Sequence, residues 1–378
     1  MQGRFPTTRF KLARLPALLA MLIACSIPQF STAHGRADGV ARSDESVSVS
    51  VMGLFHPREF VVSPSAGHAL ILQAGRESIV LENSGVASAT VRIDSPDIVV
   101  SSGRRELRST KVKVAGRGNE PEDFILEIPG KIKRQYHGTL EIRPSSSSLL
   151  SVVTLDLETA VASVVAAESV PDTPIEALEA HAIAARSYFV AGRGRHRNFD
   201  FCDTTHCQFL REVPAAGSRV AMAVEATRGL ILVYQSRPFA SMYTRSCSGT
   251  TRTPAQVGLP AAGYPYFSVD CEHCRQHPAR WTSYIPAGEA GWLHPSDETA
   301  RLTLARHLGW SAVASNDFAF TKDGDRILLT GVGNGHGIGL CQAGARAMAE
   351  SGASFRKILE HYYPNTDIVT HSRPHPPE

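Results

Sequence analysis

The chain has 378 residues, 43% of them hydrophobic and 20% charged, with a net charge of +3 and seven cysteines. This is globular composition over a length suited to two or three domains, and it excludes a disordered or strongly polyionic chain. So small a charge, with no basic run interleaved with aromatics, also argues against a nucleic-acid partner.

Residues 1–33 read as a signal peptide. Arg4, Arg9, Lys11 and Arg14 precede the apolar run 15–24, which falls short of the about 20 residues a membrane-spanning helix needs. Two cleavage readings stand side by side. Ser31-Thr-Ala33 would release a soluble protein, whereas Leu22-Ile-Ala-Cys25 has the form of a lipobox, with a lipid anchor on Cys25. Either reading takes the chain out of the cytoplasm, to the periplasm or cell envelope.

Residues 34–45 form a polar lead. Residues 46–144 follow as short runs such as Val47–Val51, Ala69–Leu72 and Phe124–Ile128, punctuated by Gly, Pro, Asn and Asp. That spacing predicts a β-rich N-terminal module without chemistry of its own. Pro144 to Ser148 is a break in composition and the expected boundary. Residues 150–370 then read as a mixed helix/hairpin catalytic domain, so the fold class is α+β.

Within this second region, 161–170 is apolar except for Glu168, and Pro171 and Pro174 close it off. Thr173, Pro174 and Glu176 have the spacing of a capping box, followed by an alanine-rich helix through Tyr188. Runs 229–234 and 239–244 flank a short turn and predict a hairpin with Tyr243 and Arg245 on one face. Two more helices are expected near 342–350 and 354–363, the last stopped by Pro364.

Seven segments of this region, in order, carry a resemblance. They are Val165 to Pro171, Glu176 to Tyr188, Phe201 to Gln208, Ala223 to Gly229, Tyr243 to Gly249, Gly335 to Ala345 and Ile358 to Pro364. Together, over roughly 155–370, they resemble the SpoIID/LytB family, whose sporulation member is a peptidoglycan lytic transglycosylase. The resemblance implies cleavage of the bond between N-acetylmuramic acid and N-acetylglucosamine in glycan strands, those stripped of stem peptides in the sporulation members. It leaves a 1,6-anhydro end. Such a reaction needs one carboxyl group, which protonates the leaving oxygen and then takes a proton from the sugar's 6-hydroxyl; hydrolases use two. Some family members are instead described as modifiers of a wall amidase, the alternative reading.

Glu168 is the expected catalytic residue. It is the only ionisable residue between Glu158 and Asp172, and apolar surroundings keep a carboxyl protonated. The resemblance also marks Arg186, Tyr243 and Arg245 as substrate-binding. Arg245 stands where the family often has lysine. The two arginines would together grip the muramic lactyl carboxylate, which is free only on stripped strands.

Cys202, His206 and Cys207, with His196 upstream, suit a tetrahedral structural zinc ion, and the resemblance includes a Cys/His zinc site here. A Cys202–Cys207 disulfide is the competing reading. Cys271-x-x-Cys274 reads as an internal pair or a bridge to Cys247, ahead of a second metal site, and Cys341 as a replacement for a family serine. The glycines at 331, 333, 335, 337 and 339 lack the offset of a phosphate loop. They would allow close backbone approach around His336 and Gln342, beside the glycan groove.

Overall fold

The structure is a computed structural model that describes residues 46–371 apart from 83–84, 205 and 261–262. The expected signal peptide, the lipobox at Cys25 and the lead 34–45 lie outside the described residues. Among the described residues no helix is long and apolar enough to cross a membrane.

The first half is built of strands, as the alternation of its sequence dictates. One path runs through Ser46–Val51, Ser148–Asp156, Ile132–Ser145, Glu122–Ile128, Glu59–Pro64, Ala89–Asp94, Asp97–Ser102 and Arg105–Ser109, in that spatial order. Ala69–Ala74 pairs with Glu77–Glu82 and with Val112–Ala115, which joins the path at Ile132–Ser145. Alternate residues point inward: Phe60 and Val62, Leu70 and Leu72, and Phe124 and Leu126 are fully buried.

Pro144 to Ser148 is a tight turn in this sheet. Ser145 pairs with Ser148, and the two strands flanking the turn run on antiparallel through Thr139 and Thr154. The second strand passes straight into helix α1 (Leu157–Glu168), with Asp156 capping it through a bond from the Thr159 N–H. Strand and helix are therefore continuous, with no linker between them.

Helix α1 buries Leu157, Ala160, Val161, Val164 and Val165 and ends at Glu168. Helix α2 (Ile175–Ala191) packs against it, buried on nearly every side from Ala177 to Phe189. The capping box expected at its start does not form. The Thr173 hydroxyl donates to the Val170 carbonyl, and the Glu176 carboxylate accepts the Phe355 N–H, so α2 begins with Pro174 as its cap.

Helix α3 (Arg219–Ala226) lies against both. The expected hairpin is shorter than its sequence suggested. Leu230–Tyr234 pairs with only Arg237–Pro238 across the turn and with Asp367–Thr370 on its other side. Tyr243–Thr244 runs instead parallel to Leu340–Cys341.

Helix α4 (Glu272–Gln276) is short. Helix α5 (Glu298–Leu308) packs on a three-stranded sheet of Arg280–Pro286, Arg326–Val332 and Phe318–Asp323, around a small core of Ile285, Leu304 and Leu329. Helices α6 (Gln342–Glu350) and α7 (Phe355–Tyr362) close the fold where the sequence places them.

Candidate active site

A cavity of about 950 Å³ opens beside the C-terminal end of α1. Glu168 lines it together with Tyr243, Arg245, His336 and Gln342, and the aromatic walls include Phe209, Trp281 and Trp310. A neighbouring cavity of about 420 Å³ is lined by His181 and shares Arg245, Asn334 and Gln342 with the first.

Glu168 owes its place to α1, whose last helical residue it is. Its side chain is 17% exposed, and burial pushes its carboxyl up to about 7. The negative end of the helix dipole works in the same direction. Opposing this, the Phe209 N–H donates to Oε1 at 2.9 Å, and Tyr243, Arg211 and Arg245 also favour the anion. The group is thus poised between its two protonation states near neutral pH, as an acid that later serves as a base requires.

Tyr243 donates its hydroxyl proton to Gln208 Oε1 at 2.7 Å and packs edge-on against His181, ring centres 4.5 Å apart. Burial raises its phenol well above the usual value, so it stays protonated. Arg245 is exposed at the cavity, and among the described residues its guanidinium has no ion-pair partner. His336 is half-buried; its Nδ1 accepts the Ile338 N–H at 3.0 Å, and burial lowers its pKa.

Arg186 requires a correction. It does not reach the cavity but is completely buried, with Nε and Nη2 bonded to the two Glu158 oxygens at 2.8 and 2.7 Å. Its remaining contacts go to the Leu230 and Val224 carbonyls. A guanidinium so saturated has no donor pair to offer a ligand. It ties α2 to α1 and to the strand at Leu230, and the proposed two-arginine grip on a carboxylate reduces to Arg245.

The loop after α2 brings His196, Cys202, His206 and Cys207 together, their ligand atoms within 4.8 Å of one another. His196 Nε2 is 3.4 Å from Cys207 Sγ, and His206 Nδ1 is 3.7 and 3.5 Å from Cys202 and Cys207 Sγ. A tetrahedron with zinc–sulfur and zinc–nitrogen bonds of about 2.3 and 2.0 Å has nitrogen–sulfur edges of about 3.5 Å. The donor set therefore fits zinc, and both sulfurs are free thiols rather than a disulfide. The loop is fastened from both sides of Cys202. The Asp200 carboxylate accepts from Ser48, and the Asp203 carboxylate from Met52 N–H, Arg134 and Tyr136. The same loop continues to Phe209, the donor to Glu168.

Among the described residues two acidic side chains line the cavity. Glu298, the other one, is 3% exposed and held bidentate by Arg301 at 2.8 and 2.6 Å, with Asn316 as a further donor. It has no freedom to act as a second acid or nucleophile, which leaves Glu168 the one available carboxyl.

Residues 145–234, the stretch from the last sheet hairpin through the Glu168 helix and the Cys/His loop, match the family described as stage II sporulation protein, SpoIID. Stage II sporulation protein D of Bacillus amyloliquefaciens is 28% identical over 294 residues, 66% of this chain and 85% of that protein. The chain carries a SpoIID region over residues 145–234. An uncharacterised protein of Brachyspira hyodysenteriae is 29% identical over 276 residues, 63% of this chain and 73% of the relative. A shorter stretch of 68 residues, 18% of this chain, is 38% identical to the amidase enhancer of Bacillus subtilis, covering 10% of it.

The structure adds groups to this SpoIID site that sequence reasoning passed over. His181 stands 3.9 Å from Glu168 Oε2 and is bonded at Nε2 by the Gln342 amide at 3.3 Å. Gln208 receives Tyr243 and is itself buried. His181 is itself buried on α2, and an ionisable residue set between Ala180 and Ala182 was the available signal.

Proposed function

We propose that this protein is an exported lytic transglycosylase that cleaves peptidoglycan glycan strands between N-acetylmuramic acid and N-acetylglucosamine. The observation that carries the reading is a single available carboxyl, Glu168, with its proton held near neutral pH at the edge of a wide groove. A hydrolase would need a second carboxyl to activate water or trap the sugar, and Glu298 is committed to Arg301.

The reaction then runs without water. Glu168 gives its proton to the bridging oxygen as the bond from the muramic anomeric carbon breaks. The resulting carboxylate takes the proton of the sugar's 6-hydroxyl, whose oxygen closes on that carbon. Glu168 ends protonated, ready for the next cycle. The Phe209 N–H stabilises the carboxylate between the steps. Phe209, Trp281 and Trp310 offer apolar faces for sugar rings, and Arg245 is placed to pair with a muramic lactyl carboxylate. Zinc at His196, Cys202, His206 and Cys207 would brace the loop that presents Phe209, with no part in the chemistry.

The likeness to the amidase enhancer favours one other reading, a glycan-binding modifier of a wall amidase. Glu168→Gln separates the two. The transglycosylase reading expects a variant that still sediments with insoluble glycan but no longer cuts it. A wild-type protein that leaves stripped glycan intact yet accelerates an amidase would establish the other.

A further inference from the structure

Four cysteines that the reaction does not use meet at a single point. Cys247, Cys271, Cys274 and Cys341 are each at most 2% exposed, and their sulfurs lie within 4.8 Å of one another. They come from three separate segments: the chain after Tyr243–Thr244, the start of α4, and the residue that caps α6. Cys341, expected as a mere replacement for serine, is the fourth corner. The Cys271–Cys274 pair does not close on itself, since all four thiols are free.

We propose that this quartet is a second, structural zinc site, distinct from the Cys/His cluster of the loop. Four sulfurs about 2.3 Å from one zinc ion stand about 3.8 Å apart along every edge. Cys274 and Cys341 are 3.5 Å apart, close to that edge and far beyond the about 2.05 Å of a disulfide bond. An iron–sulfur cluster needs room for its own irons and sulfides between the thiolates, and a cage within 4.8 Å leaves none.

The surroundings suit thiolates. Binding zinc releases four protons and leaves the centre with a net charge of −2, which a buried site must compensate. The Cys247 N–H donates to Cys341 Sγ at 3.3 Å, and the Tyr362 hydroxyl lies 3.5 Å from Cys271 Sγ. Gly344 keeps the cage open, because a Cβ there would collide with the Tyr362 hydroxyl and with Cys271 Sγ.

The site has a clear task. Cys247 is two residues beyond Arg245, and Cys341 directly precedes Gln342, whose amide holds His181 beside Glu168. Zinc here would clamp the parallel pair Tyr243–Thr244 and Leu340–Cys341 to α4 and so fix the back wall of the groove.

The test is metal content and coordination of the purified full-length chain. Elemental analysis should find two zinc ions per chain, and zinc X-ray absorption an average shell of three sulfurs to one nitrogen. The double variant Cys247→Ser/Cys274→Ser should lose one ion and retain a shell of two sulfurs and two nitrogens. Cys202→Ser/Cys207→Ser should lose the other ion and retain an all-sulfur shell. The absorption measurement on the unaltered chain needs no variant to fold. One zinc in the unaltered chain with a shell of two sulfurs and two nitrogens overturns the proposal. So does iron at the quartet, or an intact mass lower by four hydrogens with the quartet thiols blocked to alkylation.

Discussion

Glu168 Oε2 lies 3.9 Å from Nε2 of His181, and the imidazole between Glu168 and Gln342 is neutral. Burial pulls the His181 pKa down to about 3. With Nε2 accepting from the Gln342 amide, the ring proton sits on Nδ1, 3.3 Å from the Ser169 hydroxyl. Glu168 therefore gains no cation from His181, and burial sets its affinity for a proton.

The first expectation concerns pH. Glu168 must carry its proton to start the reaction, so kcat/KM should fall as pH rises through about 7. The same shift acts on folding. A carboxyl whose folded value lies above its unfolded value adds stability that is full below the unfolded pKa and is lost as pH rises through the folded one. Lifting it from 4.5 to about 7 corresponds to roughly 3 kcal/mol. Glu168→Gln should thus match the wild type in thermal stability near pH 4 and exceed it increasingly up to pH about 7, then by a constant margin. Equal melting temperatures at pH 8 would show that the carboxyl is not raised.

Arg186 and Arg245 should behave oppositely. Arg186→Ala leaves the Glu158 carboxylate, 15% exposed, without its bidentate partner, and should cost about 3–5 kcal/mol of stability. Arg245→Ala should leave urea unfolding within about 0.5 kcal/mol of wild type and instead raise KM for stripped glycan about tenfold. The discriminating readout is the ratio of rates on stripped and peptide-bearing strands, which Arg245→Ala should narrow. An unchanged ratio removes the lactyl carboxylate as the ligand of Arg245.

Much of this site was legible in the chain order of its residues. The end of α1 at Glu168 follows from a run that is apolar up to a pair of prolines, and the Cys/His quartet from spacing in one loop. Arg186 was assigned to substrate by resemblance, and nothing local in an alanine-rich helix shows that its guanidinium is buried. Its partner Glu158 lies at the far end of another helix, and only the packing of α1 on α2 brings them to 2.7 Å. The Cys247 quartet was hidden for a similar reason. Its members are spread over 94 residues between Cys247 and Cys341, and they converge through the parallel pairing of Tyr243–Thr244 with Leu340–Cys341, which no local pattern announces.

The glycine run supplies a third test. Gly339 has φ +69°, and a Cβ there would collide with the carbonyl of Met242, the residue before the strand Tyr243–Thr244. Gly339→Ala should destabilise by several kcal/mol, combining left-handed strain with steric displacement. Gly103, with φ +58° and nothing within 4 Å of an added Cβ, should cost only about 1–2 kcal/mol on the same substitution. Chemical denaturation of the two variants measures the difference.

Loss of the proposed loop zinc should act on the site through Phe209. Cys202→Ser/Cys207→Ser keeps the Asp200 and Asp203 anchors but frees the segment carrying the N–H that meets Glu168. The expected result is a folded protein with kcat reduced about tenfold or more and the alkaline limb of its pH profile moved upward, since a donor to the anion is lost. A pH profile superimposable on wild type would separate the metal loop from catalysis.

The central claim is that Glu168 cuts glycan without water. The direct measurement is mass spectrometry of purified, peptide-stripped glycan incubated with the full-length protein in heavy-oxygen water. The account predicts new 1,6-anhydro ends, one water lighter than reducing ends and free of the heavy isotope, and none with Glu168→Gln. Reducing ends carrying heavy oxygen, or anhydro ends formed equally well by Glu168→Gln, would contradict it.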